Sequence, residues 1–152
     1  MTVALRGFKY QLSPTVEQSK ALSRWAGCCR YVFNQALEVR EATYKATGKA
    51  PNYNTLAKRL TAWKRDKETL WLREAPAMAL QQALLDLDAA YKRFFSGQNR
   101  RPRFRSRNHW RPSFRIPQDK NTLQVQRRSA SVGRLKLPKL GWINFRWVKL
   151  PH

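Results

Sequence analysis

The sequence predicts an α+β chain in which a small β-barrel is interrupted by an inserted helical bundle. Three observations lead there. Apolar side chains recur at helical spacing through most of residues 15–96, and after Gly97 the texture changes to short extended pieces set between Pro and Gly. A strand-like segment also precedes the first helix without a local partner, so it most simply pairs with the later strands. Residues 1–14 and 97–152 would then form the barrel, and residues 15–96 the helical insertion.

In chain order, Val3, Leu5, Phe8, Tyr10 and Leu12 fall near period two with a slip at Gly7, which predicts a strand with a bulge. Thr15, followed three residues later by Gln18, has the form of a capping box opening a helix. That helix is expected to run to about Trp25 and stop at Gly27. A second, carrying Val32, Phe33, Ala36, Leu37 and Tyr44, would run from Cys28 to Thr47-Gly48. Two helices joined at Gly27 predict a helix-turn-helix-like start, a shape that serves packing as well as DNA reading.

A Pro-containing loop is expected from Lys49 to Tyr53, with Asn54 capping a helix that bears Leu56, Leu60 and Trp63. A short turn around Leu70–Leu72 leads to Pro76, placed to open the longest helix. Its stripe includes Leu80, Leu84, Leu87, Tyr91 and Phe95, and Gly97 ends it. Extended pieces are then expected at 101–107, 113–117, 122–126, 134–138 and 141–148.

Charge narrows the function. The chain has 152 residues, 31 of them Lys or Arg against 9 Asp or Glu, a formal net charge of +22. Such a chain repels itself when compact unless a polyanion neutralises it, while 42% hydrophobic residues and six Trp supply a core that a basic disordered tail lacks. Residues 1–93 hold 16 basic and 8 acidic side chains, and residues 94–152 hold 15 basic and one acidic, Asp119. The second part is therefore the stronger anion binder. A membrane surface fits less well, because the Arg are scattered among Trp and Pro rather than gathered on one face of a long helix. No apolar run suffices to span a membrane and no leader pattern is present, so a cytoplasmic location is expected. Cys28 and Cys29 are adjacent and have no second pair, so they read as small buried hydrophobes rather than zinc ligands.

The segment RRPRFRSR would place Arg101, Arg103, Arg105 and Arg107 on one face of an extended chain, opposite Pro102, Phe104 and Ser106. A row of guanidinium forks matches a phosphate backbone; the plainer alternative is a solvated charge run. His109, Trp110, Arg111, Phe114 and Arg115 extend it with rings that stack on bases or pack in the core. Arg6 and Lys9 on the first strand, and Arg134, Lys136 and Lys139 late in the chain, complete the candidate backbone contacts. Catalytic groups are poorly supplied. Asp86 and Asp88 diverge on a helix, His109 and His152 are the only histidines, and the glycines stand singly, so no metal, cofactor or phosphate loop is expected.

Five blocks stand out in order: LRGFKYQLSPTVEQ, GCCRYVFNQALEVREATY, WLREAPAMALQQALLDLDAAYKRFFSG, RPRFRSR and RLKLPKLGWINFRW. In that order and spacing they resemble the N-terminal part of the TnpB/OrfB proteins of bacterial insertion sequences. The resemblance covers essentially the entire chain. It implies an RNA-guided DNA endonuclease related to type V CRISPR effectors, with a wedge β-barrel interrupted by a helical recognition domain. It further implies guide RNA and double-stranded DNA as partners, and cutting by a later RuvC-like domain that this chain would lack and could meet as a separate half. On that resemblance the chain alone is not an enzyme, and Tyr53 and Gln81 match positions near the target-adjacent duplex; Arg115, from the basic block, is a further candidate for DNA binding. Gln81 could read adenine through paired hydrogen bonds or be an ordinary exposed helix residue. Ala75, Pro76 and Ala77 stand where family members can carry a basic residue. The alternative is a stand-alone helix-turn-helix DNA-binding regulator; a structural RNA-binding protein of ribosomal type fits the charge but not the long apolar stripes.

Overall fold

The computed structural model describes residues 10–108, 111–117 and 124–149, with only the backbone at 147–149. Its elements are strand β1 (Tyr10–Ser13), helix α1 (Val16–Thr47), helix α2 (Tyr53–Arg65), a 3-10 segment (Lys67–Glu74), helix α3 (Ala77–Phe95) and strands β2 (Gln124–Arg127), β3 (Val132–Leu137) and β4 (Gly141–Lys149). The chain is α+β and divides into two compact units, residues 1–21 with 118–152, and residues 22–117.

In the first unit the strands form one antiparallel sheet in the order β1-β4-β3-β2. The early strand does pair with a late one: Leu12 lies opposite Phe145 and Ser13 opposite Asn144, with a register shift between Tyr10 and Leu12. The sheet is open. β1 and β2 are its two edges, and among the described residues nothing joins them, so the expected closed barrel is not present. The β3–β4 turn has Pro138 followed by Lys139 at φ 67, and the Leu140 N–H donates to the Leu137 carbonyl at 3.3 Å. Pro before a left-handed residue is the type II pattern, normally given to Gly at the second position.

The capping box forms as its spacing predicts. The Thr15 N–H donates to Gln18 Oε1 at 2.9 Å, and the Gln18 N–H donates to Thr15 Oγ1 at 3.2 Å. Gln18 Nε2 also donates to the Trp142 carbonyl at 2.8 Å, fixing the helix start to β4.

In the second unit α1 contradicts the expected break: it is continuous across Gly27. A glycine in a helix interior costs about 1 kcal/mol relative to Ala. Here Trp25, Ala26, Cys28 and Cys29 are all buried around it, and that burial outweighs the propensity. Trp25, Val32 and Leu37 of α1, Leu56 and Leu60 of α2, Leu72 of the 3-10 segment, and Leu80, Leu84 and Leu87 of α3 form the core. The buried stripe of α3 follows its predicted spacing from Leu80 to Tyr91, but Phe95, expected in it, is exposed past the end of the core, and α1, at 32 residues, is longer than the 19 of α3.

Other boundaries move by a few residues. Asn52, not Asn54, caps α2, its Oδ1 accepting from the Thr55 N–H at 2.9 Å, so Tyr53 opens the helix instead of closing a loop. The turn expected at Leu70–Leu72 is part of the 3-10 segment, kinked at Thr69. Gly48 (φ 74) and Gly97 (φ 81) end α1 and α3 in the left-handed conformation that favours glycine. Residues 101–107 and 113–117 are not strands. They group with the helices of the second unit.

Candidate nucleic-acid interface

Asn34 of α1 anchors the backbone of the arginine segment. Asn34 Nδ2 donates to the Arg105 carbonyl at 2.9 Å, and the Arg105 N–H donates to Asn34 Oδ1 at 2.8 Å. A side-chain amide thus supplies the pairing that a neighbouring strand would have given. The expected row of four outward guanidinium groups is corrected accordingly. Arg105 turns inward, its guanidinium carbon 3.7 Å from the centre of the Phe33 ring, while Phe104 faces solvent at 53% exposure. Burial pushes the Arg105 guanidinium below its ordinary pKa, against the opposing pull of Asp86 and Cys29. Arg101, Arg103, Arg107 and Arg111 remain exposed, and Arg101 pairs with Glu41 at 3.7 Å.

Further along, Phe114 packs edge-on against Trp25 with ring centres 5.9 Å apart, which gives it a core role. Arg115 donates to Asp86 Oδ1, an oxygen that also accepts from Gln82 Nε2 at 3.0 Å. Asp88 lies 3.3 Å from Lys92 Nζ and 3.9 Å from Arg40. The two carboxylates therefore hold separate cations, as their helical spacing predicts. Tyr53 is half-buried at the start of α2, and Gln81 is exposed on the first turns of α3.

The sheet carries a second basic surface. Ile143 and Phe145 of β4 are buried, and the alternate residues Asn144 and Arg146 are exposed. Register sets Arg134 opposite Asn144 and Lys136 opposite Trp142, on that same outer face. Arg134 is pre-positioned there: Nε and Nη2 donate to Gln126 Oε1 at 2.8 and 2.6 Å, and its guanidinium carbon sits 4.4 Å from the Trp142 ring centre. Arg146 and this Gln126–Arg134–Trp142 stack were not singled out in the sequence, though the alternation of β4 carries the signal. Lys139 lies at the hairpin tip. Arg6, Lys9, His109 and Trp110 lie outside the described residues.

Cys28 and Cys29 are buried and free, as small hydrophobes on a helix should be. Burial, with the Glu74 carboxylate, pushes the Cys28 thiol up to about 11. Burial, with the neighbouring Cys28, pushes Cys29 up to about 12. Among the described residues no three His, Cys, Asp or Glu side chains converge as a metal site, and no helix is long and apolar enough to cross a membrane. The exposed Arg103, Arg107 and Arg111 and the Arg134–Trp142 stack suit anion binding.

Comparison with known proteins agrees. Residues 1–49 match the helix-turn-helix domain of IS605 OrfB proteins; from Val16 the matched part is one helix in this structure. The chain is 40% identical to InsQ of Escherichia coli K12, provisionally named an RNA-guided DNA endonuclease, over 93% of this chain and 34% of that protein. A protein of Streptomyces pristinaespiralis with the same provisional designation is 40% identical over 71% of this chain and 27% of its own length. The virulence protein VsdF of Salmonella dublin is 29% identical over 60% of this chain and 83% of its own. The chain thus spans about a third or less of the two endonuclease-named relatives. The chain therefore carries a helix-turn-helix domain of the IS605 OrfB type at its start and is similar, over most of its length, to part of two TnpB-like proteins provisionally named RNA-guided DNA endonucleases.

Proposed function

We propose that this chain is the nucleic-acid-binding region of a TnpB/OrfB-like RNA-guided endonuclease, holding guide RNA and the duplex beside its target. The observation that carries the reading is the Asn34–Arg105 pair, which ties an exposed arginine segment to a helical core rather than leaving it a loose tail. Exposed cations on an anchored backbone suit contact with a nucleic-acid backbone. In this reading residues 1–14 and 97–152 serve as the wedge and residues 15–96 as the helical recognition insertion. Arg101, Arg103, Arg107, Arg111, Arg134, Lys136 and Lys139, with Arg6 and Lys9, grip phosphates. Tyr53, Gln81 and Arg115 face the target-adjacent duplex, where a Gln can form paired hydrogen bonds with adenine. Arg115 would exchange Asp86 for phosphate.

In this reading residues 1–152 act by binding and cleavage belongs to a RuvC-like domain outside them, with the cytoplasm as the setting. Sequencing the nucleic acid that co-purifies is the test. A discrete RNA is the expected result. Specific cutting of target DNA by this chain with RNA and magnesium would overturn the division of labour. The match to a helix-turn-helix domain favours a second reading, a stand-alone DNA-binding regulator. RNA-free binding to one duplex sequence would select it.

A further inference from the structure

The second unit holds a cleft to which no role has been assigned above. It lies by the C-terminal halves of α1 and α3, has a volume of about 230 Å³, and is lined by Arg40, Tyr44, Tyr91, Phe95 and Arg101 among others. Two of its rings are unusually open for aromatic side chains, Phe95 at 73% and Tyr44 at 58% exposure. Phe95 is not loose: its ring centre is 5.2 Å from Phe94 and 6.0 Å from the buried Tyr91. Cations flank the rings. The Arg40 guanidinium carbon is 3.9 Å from the Tyr91 ring centre, and Arg101 reaches the cleft from the arginine segment, paired with Glu41.

We propose that this cleft takes one unstacked base of a single-stranded nucleotide, with Arg101 on its phosphate. The inference rests on the nucleic-acid reading and adds a site to it. Three observations select the occupant. The volume lies below the roughly 300–1,000 Å³ of sites for drug-sized ligands, which suits one ring system. Exposed faces of fixed aromatic rings stack any base without regard to sequence. The surrounding unit, residues 22–117, carries 20 basic and seven acidic side chains, so it draws in a polyanion rather than an acidic-poor apolar helix. The partial negative charge at the two helix ends disfavours phosphate within the slot itself, so the base enters and the phosphate stays at the arginine.

The test uses the full chain and a single-stranded RNA hexanucleotide carrying one 2-aminopurine, whose fluorescence falls on stacking. Expected are quenching by the unaltered chain, and its loss in Phe95→Ala and Tyr44→Ala with affinity down about tenfold. Phe95→Trp should restore quenching, and Phe104→Ala, an exposed ring outside the cleft, should leave it intact. Since no charge is removed, the salt dependence of Phe95→Ala should match that of the unaltered chain. Unchanged quenching in both ring variants, with duplex binding retained, overturns the cleft and leaves the nucleic-acid reading standing. Failure of the unaltered chain to bind any nucleic acid removes both. A dimer that dissociates on Phe95→Ala while hexanucleotide binding persists would assign the rings to a protein contact and also overturn the proposal. Circular dichroism of both ring variants checks that the helices are kept.

Discussion

Asn34 and Arg105 exchange two hydrogen bonds, the side-chain amide of one closing on the backbone N–H and carbonyl of the other. This pairing joins α1 to the arginine segment, beside the Arg105–Phe33 and Arg101–Glu41 contacts. Each such bond contributes about 1 kcal/mol net, and a half-buried backbone group left alone costs more. Asn34→Ala is therefore expected to lower unfolding free energy by about 2 kcal/mol in urea titrations. It should also weaken duplex binding although no charge is lost. Unaltered stability would mean that the segment is held by other contacts.

Arginines of one segment should separate into two behaviours. Arg105 covers the Phe33 ring, so Arg105→Gln is expected to cost about 1 kcal/mol of stability. Arg103 and Arg107 are exposed, so Arg103→Gln and Arg107→Gln should leave stability within about 0.5 kcal/mol. Each should lower the salt slope of binding by about 1. Equal effects at all three positions would contradict the inward turn of Arg105.

Gly27 lies in the interior of α1, and a Cβ built on it meets nothing within 4 Å. Gly27→Ala is thus expected to stabilise the protein by about 1 kcal/mol, read as a rise in urea midpoint at constant slope. A glycine required by a turn would give the opposite sign, so a destabilised variant would restore the two-helix arrangement.

The break expected at Gly27 shows what was legible in the sequence. Local chemistry was: the Thr15–Gln18 box, the Gly48 and Gly97 terminators and the α3 stripe from Leu80 to Tyr91 all rest on side chains a few residues apart, whereas the exposure of Phe95 departs from it. The pairing of β1 with β4 was legible too, because a lone strand must find a partner. Gly27 was misread because its weak helix propensity yields to burial of Trp25 and Cys29, a tertiary effect. The alternation of Arg101 to Arg107 misled for a related reason. Period two implies a strand only where a neighbouring strand exists, and here the neighbour is the side chain of Asn34, 71 residues away. Arg134 was visible as a charge, but its fixing by Gln126 and Trp142 needed the register.

The buried thiols set an alkaline limit. Both folded-state pKa values lie above the ordinary thiol value of about 8.5, so the folded chain holds protons the unfolded chain has released. Their contribution is fully present below pH about 8.5 and declines as pH rises through about 11 and 12. Thermal midpoints should fall across that window, and less steeply in a Cys28→Ala/Cys29→Ala variant. Iodoacetamide should modify the native chain slowly at pH 8 and the urea-unfolded chain quickly. Equal rates would contradict burial.

Phosphate contact is the central claim, and salt dependence measures it directly. Neutralising about 6 phosphates gives a slope near −5 for the logarithm of duplex affinity against the logarithm of salt concentration. Titration of the unaltered chain with a duplex between roughly 50 and 200 mM salt should return that slope, an affinity loss on the order of a thousandfold. An affinity that does not change with salt would contradict the account.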